Sequence, residues 1–251
     1  MNEINLSFNK DDSNWKGVIY IAAIFTFIAL AGTIIDIVFG TITGGNLTEL
    51  PQTASDRLTQ MQSNPLLGLY SLDLLNIIIQ LFMIPSYLAL YAVLKKSNSG
   101  FALLALILFL IGTVLMVTGN VALPMFDLST KYAAATSEAE KVLYAAAGES
   151  MLVRGIHGSL GMFLGFILPN IAGLVMSGVM LKAKVFSKTT SWLGLVGSIL
   201  ISAYLVLVTF VPEVKSMATI FAAPGGLMLM AWMLLYAFRL RKISILLGKE
   251  N

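Results

Sequence analysis

The sequence predicts an all-α integral membrane protein, a bundle of six transmembrane helices with both termini in the cytoplasm. Three observations lead there. Of 251 residues, 57% are hydrophobic and only 12% charged, about half the charge of a soluble domain. The mean hydropathy is +0.86. Six stretches can cross a hydrocarbon core ~30 Å thick, which takes about 20 residues at ~1.5 Å each. They run roughly from Gly17 to Phe39, Leu66 to Leu94, Phe101 to Leu123, Leu152 to Leu181, Trp192 to Val211 and Ser216 to Phe238. The alternation of a membrane β-barrel is absent. Disorder and nucleic-acid binding are excluded by the same composition. Without cysteine there are no disulfides, zinc–thiolate sites or iron–sulfur clusters.

The elements follow in order. Residues 1–16 form a polar cytoplasmic segment with no cleavable-signal pattern, so the first apolar run is a retained helix anchored by Trp15 and Lys16. Residues 17–238 form the transmembrane domain, and 239–251 a basic cytoplasmic tail. Short amphipathic helices are predicted in the two long external connections. In Thr41 to Pro65, Thr53-Ala54-Ser55-Asp56 is a capping-box-like start. In Pro124 to Met151, Ser137-Glu138-Ala139-Glu140 starts a surface helix with Gly148 as its C-cap. Asn46-Leu47-Thr48 fits a glycosylation sequon, relevant only in a eukaryotic secretory route. Leu94-Lys95 and Leu181-Lys182 sit at like positions, as do Pro124 and Pro212 closing the next helices, the pattern of a duplicated hairpin.

Orientation comes from the 16 Lys and Arg residues. With the N-terminus inside, eleven are cytoplasmic and Arg57, Lys131, Lys141, Arg154 and Lys215 are external, a bias that favours this direction. It also accounts for the net charge of +3 through anionic headgroups.

Ionisable residues in a span are costly, and each is a site hypothesis. Asp36 lies 20 residues beyond Lys16 and Asp73 lies 22 before Lys95, distances of ~30 Å that put both near the outer boundary. Asn120 and His157 fall at the same depth. Asp73, Asn76 and Gln80 form one stripe of helix two, and Arg154, His157 and Gly161 share a face of helix four. The geometry permits an outward-facing pocket lined by Asp36, Asp73, Asn76, Gln80, Asn120, Arg154 and His157. The competing reading makes these interfacial groups and interhelical hydrogen bonds. No ionisable residue falls between this cluster and the cytoplasmic lysines, which speaks against an ion pump, a voltage sensor or a retinal protein.

Pro85, Pro169 and Pro224 are helix-break candidates, with Asn170 placed to bind a freed carbonyl. Gly161, Gly165, Pro169, Gly173 and Ser177, and Gly194, Ser198 and Ser202, form small-residue ladders for close helix approach. His157-Gly158-Ser159 is not a catalytic pair, because residues two apart on a helix point about 200° from each other. One histidine with Asp36 and Asp73 is a minimal set for a metal, so no metal and no cofactor is assigned. Nucleotide-binding motifs are absent.

A family resemblance rests on three runs. They are Ala89-Leu90-Tyr91-Ala92-Val93-Leu94-Lys95-Lys96, Trp192-Leu193-Gly194-Leu195-Val196-Gly197, and Ala223-Pro224. Together these resemble the bacterial multi-pass membrane family grouped as domain of unknown function 4386, with Ala92 where that family carries proline. The resemblance implies six helices in a bacterial plasma membrane and no activity. The functional expectation is a non-catalytic protein acting in binding, sensing or as an accessory subunit. An outer-leaflet lipid- or peptide-directed hydrolase and a carrier for a neutral apolar solute stay open beside it. The expected partners are membrane lipids, a small apolar or amphipathic ligand, and a membrane-protein partner or second copy, with no nucleic acid.

Overall fold

A computed structural model describes residues 14–42 and 53–248. Every regular element among them is helical: α1 (Lys16–Ile42), α2 (Ala54–Ser63), α3 (Pro65–Ser71), α4 (Leu74–Phe82), α5 (Ile84–Gly119), α6 (Ala122–Ala134), α7 (Glu138–Gly155), α8 (Leu160–Ala183), α9 (Lys188–Phe210) and α10 (Lys215–Leu246), with a 3-10 turn at Pro212–Val214. Five helical runs are long and apolar enough to cross a membrane. One of them, Leu74–Ala134, holds 61 residues, ~90 Å if straight and three times the hydrocarbon depth. It folds back instead. Asn98 leaves helical geometry at φ −155°, ψ 87°, and its Oδ1 accepts from the Phe101 amide at 3.2 Å, restarting the helix. Tyr87 then stacks on Phe109 with centroids 3.8 Å apart, and Gln80 Nε2 donates to Thr113 Oγ1 at 3.0 Å. Both pairs are nearly symmetric about Asn98, so α5 is two antiparallel arms turning in the polar stretch 95–100.

The main core lies where α1, both arms of α5, α8 and α10 meet. Its fully buried members include Ile19, Ala22, Ala29, Leu90, Ala102, Ala105, Met176 and Tyr236. Alanine and glycine are frequent because lipid supplies no hydrophobic drive between helices, and close backbone approach must provide the attraction. The ladders behave this way. Gly165 rests on the Met116 backbone, Gly173 faces Ser198 Oγ, and Gly194 faces Ser177 Oγ, so α8 and α9 interlock antiparallel through two reciprocal glycine–serine contacts. Outward lie apolar stripes such as Ile21, Ile24 and Ile28 on α1 and Leu103, Ile107, Leu110 and Val114 on α5. Stripes of that extent would drive association in water; hydrocarbon accepts them.

A second, smaller core caps one end. Leu58, Met61, Leu72, Val121, Met125, Leu128 and Leu152 join α2, α3, α6 and α7. Local chemistry sets these helices. Thr53 caps α2, Asn64 caps α3 ahead of Pro65, and Ser137 with Glu140 completes a full capping box on α7. Glu140, bonded by the Thr136 and Ser137 amides, is held below the usual carboxylate range. The Ala54 amide donates to Glu149 Oε1 at 2.6 Å, and Gln62 Nε2 to Ser129 Oγ at 3.0 Å, tying the α2–α3 layer to α6 and α7. The opposite end gathers the basic residues: Lys95 lies 5.0 Å from the Trp15 ring centre, and Arg239 Nε donates to the Val185 carbonyl at 2.8 Å.

Several expected boundaries shift. The stretch from Leu66 to Leu94 is not one helix; it breaks at Asp73 and Met83 because the chain leaves the cap through an elbow before entering the bundle. Helix four begins at Leu160, not Leu152, after a turn through Ile156–Ser159. Gly148 is not a C-cap: α7 runs on to Gly155, and Gly148 is glycine because Ala54 packs where its side chain would stand. Pro124 lies in the first turn of α6, an unforeseen helix, rather than ending the one before. The tail stays helical to Leu246. The two hairpins do turn at the same basic end, at Asn98 and at left-handed Lys184 (φ 54°). The sequon Asn46-Leu47-Thr48 lies outside the described residues.

One close contact in the bundle is testable. A Cβ on Gly112 would run into the Pro169 ring and Leu168, so Gly112→Val is expected to destabilise by about 1–3 kcal/mol, read as a lower thermal midpoint in detergent. Gly178→Ala, with open space around it, is expected to hold or raise the midpoint. Equal responses would refute the packing.

Candidate functional site

The site forms where the cap meets the bundle. After α3 ends, Asp73 takes left-handed geometry (φ 62°, ψ 20°) and starts α4. A short acidic side chain tolerates this conformation better than most. Its carboxylate caps no backbone amide of that helix. Asn76 Nδ2 donates to Asp73 Oδ1 at 2.9 Å, and Asp73 Oδ2 lies 3.3 Å from His157 Nδ1, the two side chains being 12% and 21% exposed. The other ring nitrogen, His157 Nε2, is 3.3 Å from the Tyr204 hydroxyl on α9, and the Phe166 ring packs edge-on at 4.9 Å.

His157 reaches this position from a turn. It lies between α7 and α8, followed by Gly158 at φ 79°. Val208 sits where a Cβ on Gly158 would go, so glycine is needed there on both conformational and steric grounds. Ser159 caps α8 by accepting from the Met162 amide at 3.3 Å. The expected separation of His157 from Ser159 therefore holds, for a different reason: Ser159 is engaged as a cap, and the two share no helix.

Arg57 comes in from the cap. It is 2% exposed and its Nη1 reaches Ser71 Oγ at 3.5 Å. Burial pulls the guanidinium below the ordinary arginine value, and the nearby Asp73 and Glu149 carboxylates offset part of that. On the other side, the Asp36 carboxylate is within electrostatic reach of Asp73 and His157. Its backbone carbonyl accepts from the Tyr70 hydroxyl at 2.9 Å. Next to Tyr70, a groove of about 450 Å³ opens between α1 and the α3–α4 elbow, walled by Ile35, Phe39, Leu66, Leu74 and Ile78. Polar cluster and apolar groove thus share Tyr70.

The seven expected pocket residues divide. Asp36, Asp73, Asn76 and His157 come together. Gln80 lies deeper, bonded to Thr113. Asn120 is a hinge: its Nδ2 donates to the Leu72 carbonyl at 2.6 Å, and its Oδ1 accepts from the Ala122 amide at 2.9 Å. Arg154 is not on a face with His157; it is exposed on α7 and donates to the Thr118 carbonyl at 3.3 Å, because the turn after Gly155 separates the two. Among the helix-break candidates, Pro85 opens α5, while Pro169 and Pro224 sit inside continuous helices. Asn170 Nδ2 donates to the Phe166 carbonyl at 2.9 Å, bracing the segment that carries the Phe166 ring.

Arg57, Tyr70, Glu149 and Tyr204 went unrecognised from sequence. Arg57 had a signal: Ala54, Arg57, Leu58 and Met61 form the buried face of α2, a helical spacing that includes the arginine. Tyr204 had none, since its neighbours are uniformly apolar.

The Asp73–His157 contact is measurable by a double-mutant cycle with Asp73→Asn and His157→Gln. A coupling of about 0.5–3 kcal/mol is expected for side chains in contact, read from thermal or denaturant unfolding in detergent. Additive effects would refute the pair.

No curated protein and no solved structure matches this chain. A family model described as a domain of unknown function (DUF4386) matches residues 17–236, most of the chain and all of the elements that build the site. The protein belongs to that family.

Proposed function

We propose that this is a six-span protein of the bacterial plasma membrane, with both termini cytoplasmic, that binds a small amphipathic ligand at its outer end. Its role is non-catalytic, in binding, sensing or as an accessory subunit. The crossings are α1, α4 with the first arm of α5, the second arm of α5, α8, α9 and α10. The distribution of lysine and arginine supports the orientation. One observation carries the ligand reading: the Asp73–His157–Tyr204 chain and Asp36 adjoin the 450 Å³ apolar groove through Tyr70. Polar and apolar recognition therefore meet at one place, as ligand sites require.

The test is co-purification. Protein extracted in mild detergent is expected to carry an amphiphile detectable by native mass spectrometry. Asp36→Asn with Asp73→Asn and His157→Gln is expected to lose it, as is Leu74→Trp, which fills the groove. A wild type with no adduct, or adducts equal in all variants, would overturn the reading.

A hydrolase is the second reading, and one feature favours it: a carboxylate on Nδ1 orients His157 and leaves Nε2 as a base. Turnover of an outer-leaflet lipid or peptide that the triple variant abolishes would replace binding with catalysis. Orientation has its own assay, because no native cysteine interferes. Exposed Ser63→Cys is expected to react with an impermeant maleimide on intact cells, and exposed Ser99→Cys to resist it. The reverse pattern would invert the topology.

A further inference from the structure

The basic end holds a second cavity, of about 290 Å³, where α9 begins beside the last turns of α10. Its walls combine two chemistries. Arg239, Lys242, Ser187 and Thr190 are polar, and Phe186 and Phe238 are apolar. Arg239 Nε is held by the Val185 carbonyl at 2.8 Å. That bond fixes one edge of the planar fork and leaves its terminal nitrogens for an anion. Ser187 and Thr190 share a hydroxyl contact of 2.8 Å at the start of α9.

Among the described residues, charge is sharply segregated around this cavity. All the described carboxylates (Asp36, Asp56, Asp73, Asp127, Glu138, Glu140, Glu149 and Glu213) belong to the opposite end of the bundle. Arg239, Lys242, Arg241, Lys182, Lys184 and Lys188 gather at this end, and among the described residues neither Arg239 nor Lys242 has a carboxylate within ion-pair distance. A cationic cavity with aromatic walls, at the end of membrane-spanning helices, matches a ligand with an anionic head and an apolar tail.

We propose that this cavity binds the headgroup of an anionic phospholipid. Arg239 and Lys242 contact the phosphate, Ser187 and Thr190 the remaining headgroup oxygens, and Phe186 and Phe238 the first part of an acyl chain. Two cations on one headgroup discriminate an anionic lipid from a zwitterionic one, whose own ammonium they repel. The proposal concerns the end away from the Asp73 cluster and does not depend on the ligand reading made there.

Thermal midpoints of protein in neutral detergent, titrated separately with phosphatidylglycerol, phosphatidylcholine and inorganic phosphate, provide the test. Phosphatidylglycerol alone is expected to raise the midpoint saturably. Lys242→Gln, an exposed position that the fold does not need, is expected to weaken its apparent affinity about fivefold, and Arg239→Gln with Lys242→Gln about twenty-five-fold. Arg239→Lys with Lys242→Arg is expected to keep lipid selectivity. Arg241→Gln, at the same end but outside the cavity, is expected to leave affinity unchanged. Equal responses to both lipids, wild-type affinity in Lys242→Gln, or an equal loss in Arg241→Gln would overturn the site. Stabilisation by inorganic phosphate alone would overturn the lipid assignment in favour of a soluble anion.

Discussion

A hydrocarbon interior gives no water to a backbone group that loses its helical partner, and that constraint organises most of the breaks among the described residues. Where a helix restarts, a polar side chain closes the gap: Asn98 for the second arm of α5, Asn120 for α6, Ser159 for α8, Ser187 for α9. In the cap, Thr53, Asn64 and Ser137 do the same. Asp73 is the exception among the polar residues at these starts. It sits at the head of α4, yet its carboxylate takes the Asn76 side chain and lies against His157 instead of capping the backbone amides of the helix it begins. A carboxylate diverted from its local structural task is spent on something else.

The diversion is costly. A non-glycine residue in the left-handed region costs about 1–2 kcal/mol, and both Asp73 and the nearby Arg57 are desolvated. Charges buried together seldom stabilise more than apolar side chains of the same volume. Stability alone therefore does not account for the arrangement. What it does produce is position: the pair brings the α3–α4 elbow against the α7–α8 turn, and Arg57 ties α2 to the elbow through Ser71. The result is a polar site whose geometry is set by three separate segments.

Much of this was legible in one dimension. Apolar length revealed the membrane-helical character, because a bilayer demands about 20 residues whatever their neighbours, and five helical runs meet that demand. The capping signatures at Thr53 and Ser137 located α2 and α7, since those hydrogen bonds are local. Depth arithmetic from the basic anchors brought Asp36, Asp73 and His157 to one level, because a helix rises uniformly. The failures are equally physical. Helix two reads as continuous because nothing local forbids a helix through Leu72 and Asp73; the elbow exists because α3 packs on α6. Arg154 and His157 share one face only if a helix runs through Gly155–Gly158, where the chain turns. Tyr204 is selected by what lies across from it, information that no spacing along α9 contains.

Between the two ends lies a layer of another kind. Thr26 and Ser86 share a 2.7 Å hydroxyl contact, with Thr26 also donating to the Ala22 carbonyl at 2.8 Å, and the buried Tyr236 hydroxyl meets Met83 Sδ at 3.8 Å. These groups satisfy one another and the backbone without carrying net charge. No lysine, arginine, histidine or carboxylate interrupts any helix across this depth. A charged solute entering from the acidic end would lose its partners one or two turns below Asp73 and meet only hydroxyls and hydrocarbon. A charged ligand bound at the polar cluster, as proposed above, would therefore go no deeper. Among the described residues, the middle of the bundle separates the end that holds the carboxylates from the basic one, so the two proposed ligands would each bind from its own side.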